Sequence, residues 1–235
     1  MFKGFRRLAC GAAIVAAVLA PVAAHAVIID FEGDGLTGLY LPEDSFQQGG
    51  FLMTQGFDSG IVDTGANALG AAAPTNNTTQ LYTNLNDGEL IFTSLSSLPF
   101  SLNGFQAAFV PLLGSHAPAQ TIAVVALGTT LTNAQVGVAF LLGDTTSTTT
   151  GSPFLSFSGA ANFGAFTNLK TLEFFTCAVV NGQVCTVPTN NNGQFALDNV
   201  NLTIAAAPIP EPETTALMAL GLMVLTAVAR RRRVR

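Results

Sequence analysis

The segment Phe195-Ala196-Leu197-Asp198-Asn199-Val200-Asn201-Leu202-Thr203-Ile204 carries the pattern that decides the fold. Its residues fall into two alternating sets. One set holds Ala196, Asp198, Val200, Leu202 and Ile204, and the other holds Leu197, Asn199, Asn201 and Thr203. Successive side chains of a β-strand point to opposite faces of a sheet. The alternation therefore predicts a strand with one buried face.

Seven further segments have strand character, and turn-forming residues separate them. The segments are 27–31, 89–93, 104–110, 121–127, 135–142, 154–157 and 171–176. The turns include Asp87-Gly88, Asn103-Gly104, Asn181-Gly182 and residues 190–193. Such residues supply the backbone conformations that turns need. Residues 27–204 show no capped amphipathic helix, so they predict one all-β domain, a single antiparallel β-sandwich of jelly-roll type.

Two stretches of this domain have little pattern of their own. They are residues 66–79 and residues 145–152, which are rich in Ala, Asn, Thr and Ser. Segments that bury little apolar surface usually run as loops over the protein surface. We expect both to be mobile loops.

Charged residues divide the chain into three regions. The basic residues lie at the two ends, apart from Lys170, while all 14 acidic residues lie between Asp30 and Glu213. That central stretch therefore carries a net charge of -13. Phosphate binding depends on clustered Lys and Arg. The charge pattern excludes a nucleic-acid partner.

Residues 1–26 have the organisation of a secretory signal peptide. A basic start is followed by an apolar run over residues 8–22, and Ala24-His25-Ala26 has the small-x-small pattern of a cleavage site. The pattern predicts that signal peptidase cuts before Val27. An uncleaved N-terminal anchor is the alternative.

Two cysteines remain after this cut, Cys177 and Cys185. Cysteines of an exported protein usually pair in an oxidising compartment. Asn181-Gly182 between them is typical of a tight hairpin. A three-residue loop over 180–182, with Gly182 left-handed, sets the two cysteines directly opposite each other and predicts a structural disulfide. Free thiols or half of a metal site are the alternatives.

The C-terminal region has three parts. Residues 205–213 contain alternating prolines, which predict a stiff, extended linker. Residues 214–229 carry no charge, and as a helix they would extend roughly 24 Å against a hydrocarbon core of about 30 Å. They predict a short transmembrane helix. The arginines of residues 230–235 predict a cytoplasmic end, with the acidic domain on the other side.

This tail resembles the PEP-CTERM sorting domain, which exosortase recognises in Gram-negative bacteria. The residues that carry the resemblance are Pro210, Glu211, Pro212, Arg230, Arg231, Arg232 and Arg233. The resemblance implies a transient hold in the inner membrane with the domain in the periplasm, and cleavage near Glu211 or Pro212. It further implies transfer to the cell surface or extracellular matrix, with exopolysaccharide or biofilm as the setting. A plain single-pass anchor is the alternative.

The last strand carries two more resemblances. Gln194, Phe195 and Asp198 resemble the QFxxD subgroup of PEP-CTERM proteins. The same strand is similar to the closing strand of jelly-roll carbohydrate-binding modules, in which the first and last strands pair and share a structural calcium. This similarity implies carboxylate ligands from Asp30, Glu32 and Asp34 together with Asp198, because calcium prefers several oxygen ligands. Alternatively, Asp198 caps a turn or binds backbone amides.

The sequence gives little support for catalysis. His116 is the one histidine after the signal peptide, and we expect it to lie in an exposed loop. Gly-rich phosphate loops and HExxH motifs are absent. We therefore expect a structural or adhesive surface protein that is not an enzyme. A carbohydrate-binding module is the alternative, although the chain has no Trp and 2 Tyr, and a surface hydrolase is a third possibility.

Overall fold

The computed structural model describes residues 24–111, 121–144, 151–180, 184–186, 193–206, 218–223 and 225. Ala24–Ala205 form one compact unit, and Met1–Ala23 with Ala206–Arg235 form a second. In the second unit, residues 218–223 and 225 are helical. Within the described residues, no helix combines the length and apolar character needed to cross a membrane. Residues 1–23 of the predicted signal peptide and most of the predicted helix over 214–229 lie outside the described residues. The last residues of the predicted signal peptide are described, and His25 and Ala26 begin the first strand, where they pair with Ile204 and Thr203.

The first unit contains fourteen described strands, two short helices and one 3-10 turn. The strands are β1 His25–Ile29, β2 Gly38–Tyr40, β3 Ser45–Gln48, β4 Phe51–Gln55, β5 Gly60–Thr64, β6 Gln80–Asn84, β7 Glu89–Ser94, β8 Phe100–Phe109, β9 Thr121–Thr130, β10 Gln135–Asp144, β11 Leu155–Ser158, β12 Leu169–Val180, β13 Val184–Thr186 and β14 Phe195–Ile204. The helices are α1 Gly65–Leu69 and α2 Ala160–Phe163, and the 3-10 turn is Gly70–Ala72.

These strands form the predicted antiparallel β-sandwich. One layer has the order β2-β5-β6-β14-β8-β11, with β1 also paired to β14. The other has the order β10-β9-β12-β7-β4-β3, with β13 paired to β12. A single pair, Leu169 with Phe100, joins the layers. The first and last strands pair, as the jelly-roll prediction requires.

Phenylalanines fill the space between the layers. The Phe105 ring on β8 packs against Phe174 on β12 at a centroid distance of 4.9 Å and against Phe140 on β10 at 5.3 Å. Phe51 and Phe100 make a similar edge contact across the sandwich at 5.1 Å. Burial of such large rings supplies most of the driving force for packing two sheets together. The chain therefore uses Phe where many sandwiches use Trp.

The predicted single buried face of β14 is wrong in its first half. Phe195 and Leu197 face the main core, and after a bulge Val200 and Leu202 face it instead. Asn199 has a φ of 49°, and two residues of β14 there oppose one residue of β8. An extra residue in one strand shifts the inward-facing positions by one. Both faces are buried before the bulge, since Ala196 packs in a second apolar cluster with Leu81 and Phe154.

The disulfide between Cys177 and Cys185 is confirmed, with the two Cα atoms 5.3 Å apart. The predicted register of its hairpin is wrong. Val180 pairs with Val184 and Val179 pairs with Cys185, so Cys185 lies two positions from the residue opposite Cys177. Diagonal neighbours on one face of a twisted strand pair are close enough to bridge. The loop conformation predicted for Gly182 lies outside the described residues.

Segment 66–79 differs from the predicted loop. It contains most of α1 and the 3-10 turn, and side-chain hydrogen bonds fix its second half. The Asn76 side chain accepts from Phe154 N at 2.7 Å, and Asn77 bonds Asp198. These contacts join residues far apart in the sequence, so local pattern does not indicate them. The other predicted loop lies outside the described residues for 145–150.

Candidate functional site

Three carboxylates converge where β1 ends beside the bulge of β14. Ile29 forms the last β1 pair with Val200, so Asp30 and Glu32 leave the sheet next to Asp198 and Asn199. The predicted neighbourhood of the first and last strands is therefore present. It joins carboxylates that stand more than 160 residues apart in the sequence.

Gln48 of β3 holds the backbone at the end of β1. Its Oε1 accepts from Phe31 N at 3.0 Å, and its Nε2 donates to Asp30 Oδ1 and to the Glu32 carbonyl, each at 2.7 Å. Phe31 is fully buried and has a φ of 57°, a left-handed conformation that costs energy for a bulky side chain. One amide thus stabilises a strained turn and orients Asp30.

Asp198 lies on the opposite strand and is 3% exposed. Its Oδ2 accepts from Asn77 Nδ2 and its Oδ1 accepts from Asn199 N, both at 2.7 Å. Burial raises the pKa of Asp198 to about 6; the charges of Asp30 and Glu32 add to the rise, and the two hydrogen bonds oppose it. Asp198 is therefore a carboxylate that titrates in the weakly acidic range.

The predicted calcium ligands are only partly brought together. Glu32 Oε1 accepts from Gln80 N at 2.9 Å, while Asp34 stands outside this network as far as the described residues show. Within the described part of the chain, no group of three or more His, Cys, Asp or Glu residues is placed to hold a metal ion. Amide groups donate hydrogen bonds to these carboxylates instead. For Asp198 this agrees with the alternative that its side chain binds a backbone amide. A calcium site here remains a prediction. It would require the carboxylate side chains of Asp30, Glu32 and Asp198 to rotate toward a common point.

The other two residues of the QFxxD pattern are structural in this fold. Phe195 is fully buried, with its ring 6.5 Å from that of Tyr82. Gln194 is 8% exposed, and its carbonyl accepts from Val110 N at 3.1 Å. Both contacts anchor the start of β14 to neighbouring strands. Membership of the subgroup itself stays a prediction.

A second polar region, which the sequence did not indicate, lies on the outer face of β8 and β14. Asn103 Nδ2 donates to Thr203 Oγ1 at 2.9 Å and to Asn201 Oδ1 at 3.3 Å. Asn103 was expected in a turn with Gly104, but it lies within β8. An open cavity of about 420 Å³ adjoins these residues, and its lining includes Ser101, Thr167 and Thr203. We call Ser101, Asn103, Asn201 and Thr203 the amide face.

The C-terminal tail is the part of the chain that matches a known family model. The described residues between 24 and 205 form a β-sandwich domain, and the C-terminal segment that follows it has the features of a sorting signal. Residues 208–233 match the family model of the PEP-CTERM protein-sorting motif. The chain carries this motif, which implies processing by exosortase of an exported protein held transiently in the membrane. Pro210, Glu211, Pro212 and the arginines at 230–233 lie outside the described residues of the structure.

Similar solved structures are found for the domain, whereas no curated protein matches the chain. One is the CBM22-1 xylan-binding domain of Xyn10C from Paenibacillus barcinonensis, with 8% identity and a TM-score of 0.38 over 80% of this chain and 100% of that one. Another is a family 11 carbohydrate-binding module from Clostridium thermocellum in complex with a β-1,3-1,4-mixed-linked tetrasaccharide. It has 14% identity and a TM-score of 0.26 over 78% of this chain and 98% of that one. Both scores are too low to carry an argument about a ligand.

Proposed function

We propose that this chain is a structural or adhesive component of the cell surface or extracellular matrix, and that it is not a catalyst. The observation that carries the proposal is the sorting motif at residues 208–233, which begins four residues after β14 ends at Ile204. Signal peptidase removes residues 1–26, the tail holds the domain on the periplasmic side of the inner membrane, and exosortase cleaves near Glu211 or Pro212. The domain then joins an exopolysaccharide or biofilm matrix.

The composition of the domain supports this role. The Cys177–Cys185 disulfide suits an oxidising compartment outside the cytoplasm. A net charge of -13 between Asp30 and Glu213 favours solubility and resists binding to other anionic surfaces. A domain of this kind is suited to persist outside the cell as a stable, hydrated component.

The intact mass of the protein recovered from cells with and without exosortase tests the proposal. We expect loss of residues 1–26 in both strains and loss of everything after about Pro212 only when exosortase is present. A tail that stays intact in both strains would leave an ordinary membrane-anchored domain and overturn the surface role. A Glu211→Ala variant is the matched control, since it changes the motif while leaving the folded domain untouched.

We propose glycan binding as a second candidate function, on the basis of the amide face. Amide and hydroxyl groups recognise sugar hydroxyls through hydrogen bonds, and the adjoining open cavity of about 420 Å³ offers room for a sugar unit. The exopolysaccharide of the producing bacterium is the natural ligand to test. A neutral polymer fits best, because the acidic domain repels an anionic one.

Retention of the secreted protein on its own exopolysaccharide separates the two functions. We expect Asn103→Ala to lose retention, while Gln47→Ala, an exposed position in the other layer, keeps it. Equal retention of both variants would show that the amide face does not bind the exopolysaccharide. Millimolar calcium added to the same samples tests the structural calcium, since a rise in Tm that Asp198→Asn abolishes requires a cation at the three carboxylates.

A further inference from the structure

β10 differs from every other edge strand in the described part of the sandwich. It has ten residues and pairs only with β9 there, whereas β1, β2, β3, β11 and β13 have five residues or fewer. A long unpaired edge presents a row of backbone donors and acceptors to any second strand. Proteins commonly protect such an edge with Lys, Pro or an early bulge. β10 has a bulge only near its end, between Leu141 and Gly143.

The chemistry of β10 favours contact between two copies. The sequence between Glu89 and Asp144 contains no Asp, Glu, Lys or Arg, although the domain around it is strongly acidic. The outward positions Gln135, Gly137, Ala139 and Leu141 are uncharged and exposed. Two acidic copies repel each other least where both lack charge.

We propose that β10 pairs antiparallel with β10 of a second copy of this chain, around a two-fold axis at Ala139. This register sets Leu141, which is 58% exposed, opposite Gly137 of the other copy. Gly137 has no side chain to obstruct it, and a Cβ atom built there would lie 3.3 Å from Leu127 Cδ1. Leu141 therefore packs against Leu127 of its neighbour. The two-fold axis repeats the contact, so the interface is self-complementary.

Charge at the two ends of β10 agrees with this register. The strand ends at Asp144, and the turn before it contains Asn133, whose Oδ1 accepts a hydrogen bond from Lys170 Nζ. Lys170 is the one basic residue between Val27 and Ile204. In this register the backbone of Asp144 lies opposite that of Ala134 in the other copy, next to Asn133, which holds Lys170. The inference does not depend on the proposed function, because it uses only the folded domain.

Cysteine cross-linking in intact cells tests the contact on the full chain. Directly opposed residues of antiparallel strands lie within disulfide range, so Ala139→Cys is expected to give a covalent dimer in the oxidising compartment. Gln47→Cys on the edge strand β3 is the matched control and is expected to stay monomeric. A mass of twice the chain supports the proposal. An absent adduct, or an adduct with a different protein, overturns it.

Sedimentation of the purified full chain in detergent provides an independent measurement. We expect Ala139→Lys to weaken dimerisation roughly tenfold or more, because the two lysines would lie directly opposite each other at the two-fold axis and repel. Gln47→Lys is expected to have no effect. Dimerisation that survives Ala139→Lys would place the contact elsewhere, the tail included, and would overturn the proposal.

Charge reversal tests the register. Asp144→Lys and Lys170→Glu should each weaken the dimer, and the double variant should restore it, because each reversed charge then meets its opposite. A double variant no better than the single ones would overturn the two-fold at Ala139. Thermal unfolding of each variant separates loss of association from loss of folding.

Discussion

Burial and hydrogen bonding shift the pKa of the Asp198 carboxylate in opposite directions. Burial raises its pKa to about 6, against an ordinary value of 3.8, even though Asn77 and Asn199 bond the charged form. The folded state therefore binds this proton more tightly than the unfolded state. The stabilising contribution is complete below about pH 4 and is lost as the pH rises through about 6.

We predict that Asp198→Asn removes this pH dependence. Relative to the variant, the wild-type protein should lose about 2 kcal/mol of unfolding free energy between about pH 4 and pH 7. Urea unfolding of both proteins across this range, with EDTA present, measures the difference. Asp34→Asn, outside the hydrogen-bond network, controls for the loss of one charge. Parallel curves for the wild-type protein and Asp198→Asn would contradict the prediction.

Asn199 determines the bulge through its backbone. Its φ of 49° is accessible to Asn and Gly but costs other residues about 1–2 kcal/mol. We predict that Asn199→Ala is less stable than Asn199→Gly by about 1 kcal/mol. Both variants lose the hydrogen bond to Gln106 Oε1, so the difference between them isolates the backbone term. Thermal unfolding compares them, and equal Tm values would mean that the bulge relaxes.

At the scale of single elements, the hairpin of β12 and β13 depends on its disulfide. β13 has three residues and pairs only with β12 in the described part of the chain. A cross-link spanning eight residues is expected to contribute about 2–3 kcal/mol. We predict that replacing Cys177 and Cys185 together by Ala lowers the unfolding free energy by this amount. Denaturant titration of the double variant, beside the reduced wild-type protein, checks the value.

The sequence predicted the strands that combine apolar runs with clear turn signals. Each of the eight predicted segments overlaps a strand, and β9 and β10 extend their segments by only a few residues. Missed strands such as β2 and β3 are short and contain Gly, Ser or Gln, so their pairing comes from tertiary contacts. The bulge in β14 was also missed, because one residue in a left-handed conformation leaves no periodic signal.

The candidate sites also combine features that the sequence predicted with features that it missed. The proximity of Asp30 and Asp198 was predicted because the resemblance to jelly-roll carbohydrate-binding modules implied that the first and last strands pair. The hydrogen bond from Asn77, 121 residues away from Asp198, did not follow from any local pattern. The amide face was hidden for a similar reason, since Asn103 looked like a turn residue until its place in β8 was known.

At the scale of the whole molecule, the β-sandwich domain and the tail belong to different compact units. We predict that a chain ending at Ala205 folds with an unchanged Tm but is no longer retained at the inner membrane or processed by exosortase. Ala205 N bonds the Pro99 carbonyl at 2.8 Å, so this end point keeps the final contact of the sheet. Cell fractionation and thermal unfolding together check the prediction. A lower Tm would show that the tail stabilises the domain.

The central position of β14 has a consequence for the order of biogenesis. β14 pairs with β1, β6 and β8, and it is the last of the described strands to leave the ribosome. Until β14 is present, β1, β6 and β8 each lack a partner on one side, and the layer consists of three separate parts, β2-β5-β6, β8-β11 and β1. Closure of the domain therefore waits for β14, and the segment that carries the sorting motif follows this strand in the sequence. Folding and sorting are then consecutive steps. A chain truncated before Phe195 would lack both the central strand of this layer and the sorting motif.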